Sequence, residues 1–153
     1  MLDRFDFALL NRVQRDDSLT GEALAKEIPL SASAIARRLR RLRQEGWIAR
    51  TIALLSPRLT QRRLRALVLI RLNDVPARVA LERQLAACEA VQLCYEISGP
   101  HDLVAMMDCA SMAEFTAIEH ELLESSPAVR RWETLLIKHE VKFAPFVELG
   151  EAP

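Results

Sequence analysis

Gly46 divides this sequence by the period of its apolar residues. Before it, apolar side chains recur every three or four positions, the spacing that puts them on one stripe of a helix. Leu2, Phe5, Leu9 and Val13 make the first such stripe, with Asp3 and Asp6 at the end where the helix dipole favours acids. Asp16-Asp17-Ser18 interrupts the pattern, and Thr20 is placed to cap a short helix through Ile28 that buries Ala23, Leu24 and Ile28. Pro29 lacks the N–H that a continuing helix needs, so the chain turns at Pro29-Leu30. Ser31 then caps a third helix running to Glu45, which Gly46 ends.

Beyond Gly46 the apolar residues alternate or run in short unbroken stretches, as strands require. Trp47–Leu55 reads as a strand closed by Ser56-Pro57, and the basic stretch from Pro57 to Arg65 as a linker. Leu64–Leu72 is apolar on both faces, with Ala66, Val68, Ile70 and Leu72 on one and Leu67 and Leu69 on the other, so both faces need cover. Pro76 opens a helix with the stripe Leu81, Leu85 and Cys88. Val91, Leu93, Tyr95 and Ile97 alternate as a strand, Gly99-Pro100-His101-Asp102 turns, and Leu103–Asp108 is a short strand. Ser111 and Glu114 form a capping box for a helix that buries Phe115, Ile118 and Leu122, and Pro127 ends the connection. Leu135, Ile137, His139, Val141 and Phe143 alternate in a last strand.

The order β-α-β-β-α-β is that of a ferredoxin-like split unit. Right-handed crossovers lay both helices on one sheet face. Tyr95, Cys94, Leu67 and the Leu135/Ile137 row cannot all lie beneath two helices, which leaves an apolar sheet face open. Exposed faces of that kind mark association, and a homodimer with sheets back to back is expected. The fold class is therefore mixed α/β (α+β), a three-helix unit followed by a ferredoxin-like domain.

The zero net charge conceals a division. Residues 1–65 hold 14 basic against 7 acidic side chains, a net +7, and the remainder carries −7. A basic half attracts a polyanion while an acidic half is repelled by it. The apolar runs are far shorter than a membrane helix, and the charged N-terminus has no signal-peptide core. Cys88, Cys94 and Cys109 form no CxxC pair, so reduced thiols in a cytoplasmic protein are expected, with no membrane partner.

The third helix carries the functional signal. At about 100° per residue, Ile35, Leu39 and Leu42 form its buried stripe while Ser33, Arg37, Arg40 and Gln44 share the opposite side. Arg38 and Arg41 flank the stripe. A narrow apolar stripe lets such a helix dock on two supports and enter a major groove wide enough to admit it. Ser31 and the free N–H groups of the first turn can hold a phosphate, and small residues at Ser33 and Ala34 let the helix start approach base edges. Arg37 can pair bidentately with guanine, whereas Arg38, Arg40 and Arg41 suit the phosphate backbone. A solvated amphipathic helix has the same spacing, but not the preceding short helix and tight turn.

The whole chain resembles the leucine-responsive regulatory protein and asparagine regulator (Lrp/AsnC) family over residues 2 to 146. Leu2-Asp3-Arg4-Phe5-Asp6 with Leu9-Leu10 resembles its opening helix, and Leu30-Ser31 through Arg38–Ile48 its recognition helix and wing. Gly99-Pro100-His101-Asp102-Leu103 resembles its ligand turn, and Arg130-Arg131-Trp132-Glu133-Thr134 before a long strand its usual end. The resemblance implies a winged helix-turn-helix over 1–50, a linker strand and hinge over 51–63, an effector-binding and oligomerisation domain over 64–146, and a tail over 147–153. It implies double-stranded DNA as partner, an amino acid or related small molecule as effector, and a homodimer that assembles further, to an octamer for example. The effector site carries over onto Ser98, Gly99, His101 and Asp102. Asp102 can accept from an effector's ammonium, or equally fasten the turn to nearby backbone.

Enzymatic chemistry has little support in the sequence. His101, His120 and His139 have no partners at metal-ligand spacing, and no GxSxG, Walker or dinucleotide-binding glycine pattern occurs. Neither a metal nor another cofactor is expected. One enzyme class shares the architecture, the siroheme decarboxylases. Their substrate bears many carboxylates, and their Tyr-x-Arg-x-His-type stretch is matched here by Tyr95-Glu96-Ile97-Ser98-Gly99, with neither Arg nor His. The expectation is a DNA-binding regulator that is not an enzyme.

Overall fold

The computed structural model describes residues 1–60, 62–73 and 75–150, apart from the side chains of Pro57, Val75 and Pro76. The expected tail therefore lies outside the described residues from 151 onward. The chain forms two compact units, Met1–Leu54 together with the stretch returning from Lys142, and Leu55–Val141.

In the first unit, helix α1 spans Arg4–Val13, α2 spans Gly21–Ala25 and α3 spans Ala32–Gln44. Each starts on the residue whose side chain satisfies its free N–H groups. Asp3 accepts from the Phe5 and Asp6 N–H groups, each at 2.9 Å, and Asp6 returns the bond from the Asp3 N–H at 3.0 Å. Thr20 Oγ1 accepts from Ala23 N–H at 3.2 Å, and Ser31 Oγ from Ala34 N–H at 3.3 Å. Regular helix in α2 stops three residues short of Ile28, although the Ile28 N–H still reaches the Leu24 carbonyl at 2.9 Å. Pro29 is spanned by a tight turn in which Leu30 N–H donates to Ile28 C=O. Gly21 lets α2 approach the start of α3, since a Cβ there would sit 3.1 Å from the Ala32 carbonyl oxygen. Gly46 ends α3 at φ 78°, the left-handed conformation that glycine adopts without strain. Leu9, Val13, Leu24, Ile28 and Ile35 make the core, with Phe5, Leu19, Leu39 and Ile48 packed on it. Ala23, expected inside, is half-buried.

Residues 47–55 contradict the expected strand: they carry no ladder. The composition suits a strand, but extended backbone needs a neighbour to hydrogen-bond, and the described part of this unit supplies none. Trp47, Ile52, Leu54 and Leu55 are more than half exposed as a result. The expected linker holds a short helix, α4, over Pro57–Thr60.

The second unit contains β1 (Leu64–Leu72), α5 (Val75–Ala87), β2 (Val91–Glu96), β3 (Leu103–Cys109), α6 (Met112–Glu119), a π-helical turn His120–Glu124, and β4 (Val129–Leu136). The strands are antiparallel in the order β2-β3-β1-β4, so each helical crossover skips one strand. Ala66, Val68 and Ile70 of β1 and Leu103, Ala105, Met107 and Cys109 of β3 turn to the helix side. There they meet Leu81 and Leu85 of α5 and Phe115, Leu122 and Leu123.

Two strand expectations need correction. The register shifts between Val91 and Leu93, so the extra residue Gln92 moves the alternation, and Val91 and Cys94 pack on the core. The last strand begins at Val129, not Leu135, and has ended before His139, which is exposed. Its charged half is an edge strand, where Arg130, Arg131 and Glu133 keep their charges in water. On the face away from the helices, Leu67 lies beside Met106 and Leu135, and Leu69 beside Val104. Leu135 is half exposed and Tyr95 more so.

Candidate nucleic-acid interface and ligand turn

Helix α3 carries five arginines that the structure sorts into two kinds. Arg38 and Arg41, read from the sequence as phosphate contacts, are paired with Asp3 and Asp6 at the start of α1. Arg38 Nη1 lies 2.8 Å from both Asp3 Oδ2 and Asp6 Oδ1, and Arg41 Nη2 donates to Asp6 Oδ2. Because these arginines flank the apolar stripe, their side chains reach the start of α1. Asp6 is fully buried and accepts from the Asp3 N–H and both guanidinium groups. Burial pushes its carboxyl up, but those donors more than offset it and hold it below the ordinary 3.8. Arg38 is raised by its bonds to Asp6 and Asp3. Arg43 donates to Asp17 at 2.7 Å, and Asp17 also takes the Thr51 hydroxyl at 3.1 Å. That carboxylate fastens the chain beyond α3 without any ladder.

Arg37 and Arg40 remain. Both are exposed, and among the described residues neither enters an ion pair or side-chain hydrogen bond. Ser33 and Gln44 are exposed on the same side of α3, and Ser33 Oγ lies 3.1 Å from Ser31 Oγ at the helix start. Ala34 is half-buried. The outward face thus offers two unneutralised cations behind a helix N-terminus lined by small residues. A neutralised arginine would release few counterions from DNA, since its charge is already matched.

The buried Asp6 is the feature sequence reasoning missed. A signal existed: Asp3 and Asp6 are three apart, as are Arg38 and Arg41, so two acids and two bases each share a helix face.

In the second unit the 98–102 turn is brought to the end of β1. Asp102 Oδ2 accepts from the Leu72 N–H at 2.8 Å, and the Asp102 N–H donates to Ile70 C=O at 2.9 Å. This carboxylate fastens the turn. His101 Nε2 lies 3.3 Å from Glu133 Oε1 on β4. Ser98 and Gly99 are exposed, with Gly99 at φ 150°. Burial pushes the Cys94 and Cys109 thiols up, away from the nucleophilic thiolate. Among the described residues no three His, Cys, Asp or Glu side chains gather where a metal ion could sit. No described helix is long and apolar enough to cross a membrane.

Residues 2–49 match the winged helix-turn-helix DNA-binding family, and residues 65–145 match the Lrp/AsnC ligand binding domain. The leucine-responsive regulatory protein of Haemophilus influenzae is 32% identical over 150 residues, 97% of this chain and 90% of that protein. Its namesake from Escherichia coli K12 is 31% identical over 143 residues, 92% of this chain and 87% of that one. A transcriptional regulator from Neisseria meningitidis, solved in complex with L-Met, superposes with TM-score 0.83 at 25% identity over 95% of each chain. Escherichia coli AsnC shares the fold, with TM-score 0.81 at 17% identity over 95% of this chain and 98% of its own. With both domain matches, these sequence identities and the α3 geometry in place, the chain belongs to the Lrp/AsnC family of DNA-binding transcriptional regulators, in which a winged helix-turn-helix is joined to a small-molecule-binding domain.

Proposed function

We propose that this regulator reads DNA with the outward face of α3, using Arg37 on base edges, Arg40 and the Ser31 helix start on phosphate, and the small Ser33 and Ala34 to let the helix start approach base edges. The observation that carries the reading is the sorting of arginines: Arg38, Arg41 and Arg43 are matched by acids while Arg37 and Arg40 face outward unpaired. In a helix-turn-helix dimer two such helices read half-sites about one helical turn, or a multiple of it, apart. The apolar face around Leu67, Val104, Met106 and Leu135 supports a homodimer joined sheet to sheet, and further assembly, to an octamer for example, follows the family resemblance. Its place of action is the cytoplasm, where its DNA is.

The effector we propose is an amino acid held beside the 98–102 turn. Ser98, Gly99 and His101 would contact it, and Asp102 would serve chiefly by holding the turn in shape. The Neisseria relative's complex with L-Met makes an apolar amino acid the first class to test.

Gel shifts on the protein's own upstream DNA, with and without each amino acid, test both halves of this reading. Retarded bands at low salt whose affinity changes with one amino acid are expected. An absence of retardation at 50 mM salt would remove the DNA assignment. Retardation indifferent to every amino acid would remove the effector assignment alone.

A further inference from the structure

Helix α1 has a second recognition surface, on the side bearing Asn11 and Gln14. The two are three residues apart, so their Cβ atoms stand about 5–6 Å apart and their carboxamides lie side by side on one face of the helix. Each one both donates to and accepts from a single residue of the extended segment after Pro145. Asn11 Nδ2 donates to Leu149 C=O and Asn11 Oδ1 accepts from Leu149 N–H, both at 2.8 Å. Gln14 Nε2 donates to Val147 C=O and Gln14 Oε1 accepts from Val147 N–H at 3.0 Å. Alternate residues of an extended chain point their N–H and C=O groups the same way, at a repeat of about 6.6–6.8 Å, so a helical i, i+3 amide pair can imitate one edge of a β-ladder. The two carboxamides also bond each other at 3.1 Å, which sets the pair before the segment arrives. Arg15 adds a 3.1 Å bond to Glu148 and stacks 4.3 Å from the centre of the Phe146 ring. Pro145 and Leu149 share an apolar cleft of about 1020 Å³ with Leu10, Val13 and Trp47.

This grip reads backbone, and its occupant is the chain's own C-terminal segment. Residues up to Leu54 belong to the DNA-binding unit, the next 87 form the ligand-binding unit, and the chain returns at Lys142. With the strap docked, the DNA-binding unit is held by two covalent connections; with it released, by one.

We infer that the Phe146–Leu149 strap, gripped by Asn11 and Gln14, is a releasable second tether that sets how freely the DNA-binding unit moves and hence how strictly half-site spacing is enforced. The inference rests on the DNA-reading role of α3. Two half-sites bound by linked modules gain affinity through effective concentration, which depends on tether stiffness. A loosely tethered pair tolerates a half-turn change of spacing that a stiffly tethered pair does not.

The test compares the full chain with two variants, Asn11→Ala/Gln14→Ala on the helix side and Val147→Pro on the strap side, the latter removing a donor without touching α1. Three readouts are taken: amide exchange at Leu149, fluorescence anisotropy decay of Trp47 in a Trp132→Phe background, and binding to paired half-sites with and without about 5 extra base pairs. Expected results are faster exchange at Leu149 in both variants, a new fast component in the Trp47 decay, and single half-site affinity within about twofold of the parent. The penalty for the 5-base-pair insertion should fall about tenfold. Unprotected Leu149 exchange in the parent, or an unchanged Trp47 decay and spacing penalty in variants whose strap exchanges freely, would overturn the tether. Should the parent bind no DNA at all, the regulator reading fails, while exchange and anisotropy still decide whether the strap docks and restrains.

Discussion

Replacing Asp6 by alanine should cost the DNA-binding unit about 3 kcal/mol. The carboxylate is fully buried and accepts three hydrogen bonds, from the Asp3 N–H, Arg38 and Arg41. Removing one partner of a buried ionic network typically costs about 3–5 kcal/mol, because the remaining charges are stranded. The low end applies, since the Arg38 and Arg41 side chains are 23% and 40% exposed and can rehydrate in part. At a urea slope of about 2 kcal/mol/M, the midpoint should fall by roughly 1.5 M. The assay is urea unfolding followed by Trp47 emission in a Trp132→Phe background, which isolates the first unit. A midpoint within about 0.3 M of the parent would make the network ordinary surface ion pairing worth under about 1 kcal/mol.

The same network predicts acid lability. Asp6 is depressed in the folded state, so its contribution is complete above the ordinary 3.8 and is lost as pH falls through the folded value. The first unit should therefore loosen below about pH 4 in the parent and less steeply in Asp6→Asn, as read by circular dichroism across pH 2–6. Gly46→Ala meets open space, so its cost is conformational alone, about 1 kcal/mol, measured as the shift in urea midpoint. Leu67→Asp paired with Leu135→Asp should convert the proposed sheet-to-sheet dimer to monomers by sedimentation while the helix-side core, which neither residue joins, stays folded.

The first unit was largely legible because its helices announce their own ends. Asp3, Thr20 and Ser31 cap, Gly46 stops, and each signal acts within three or four residues. The β-α-β-β-α-β succession was legible too, since the change between alternating and helical spacing is a local signal. What escaped depends on partners distant in sequence. Residues 47–55 look like a strand but have no neighbour to pair with among the described residues, and pairing is not a local property. The charged start of β4 hid an edge strand, and one bulge residue at Gln92 inverted the alternation read for β2. The division of the arginines depends on Asp6, 32 and 35 residues away from Arg38 and Arg41. The Asp102 bond to Leu72 likewise joins positions 30 apart, which is why the residue could be read equally as ligand contact or turn fastener.

The sorting of the α3 arginines is tested most directly by the salt dependence of DNA binding. Arg37→Ala, Arg40→Ala and Arg38→Ala are compared on one upstream fragment between 50 and 200 mM salt. Each outward arginine that releases a counterion contributes about 0.9 to the slope of log affinity against log salt per protomer bound. Arg40→Ala should lower the slope by about 1 per protomer and weaken all sequences evenly, and Arg37→Ala should relax preference at one base position. Arg38→Ala should leave the slope unchanged and lower only stability. A slope that falls with Arg38→Ala and holds with Arg40→Ala would mean that the acid-paired arginine, and not the outward one, meets the DNA.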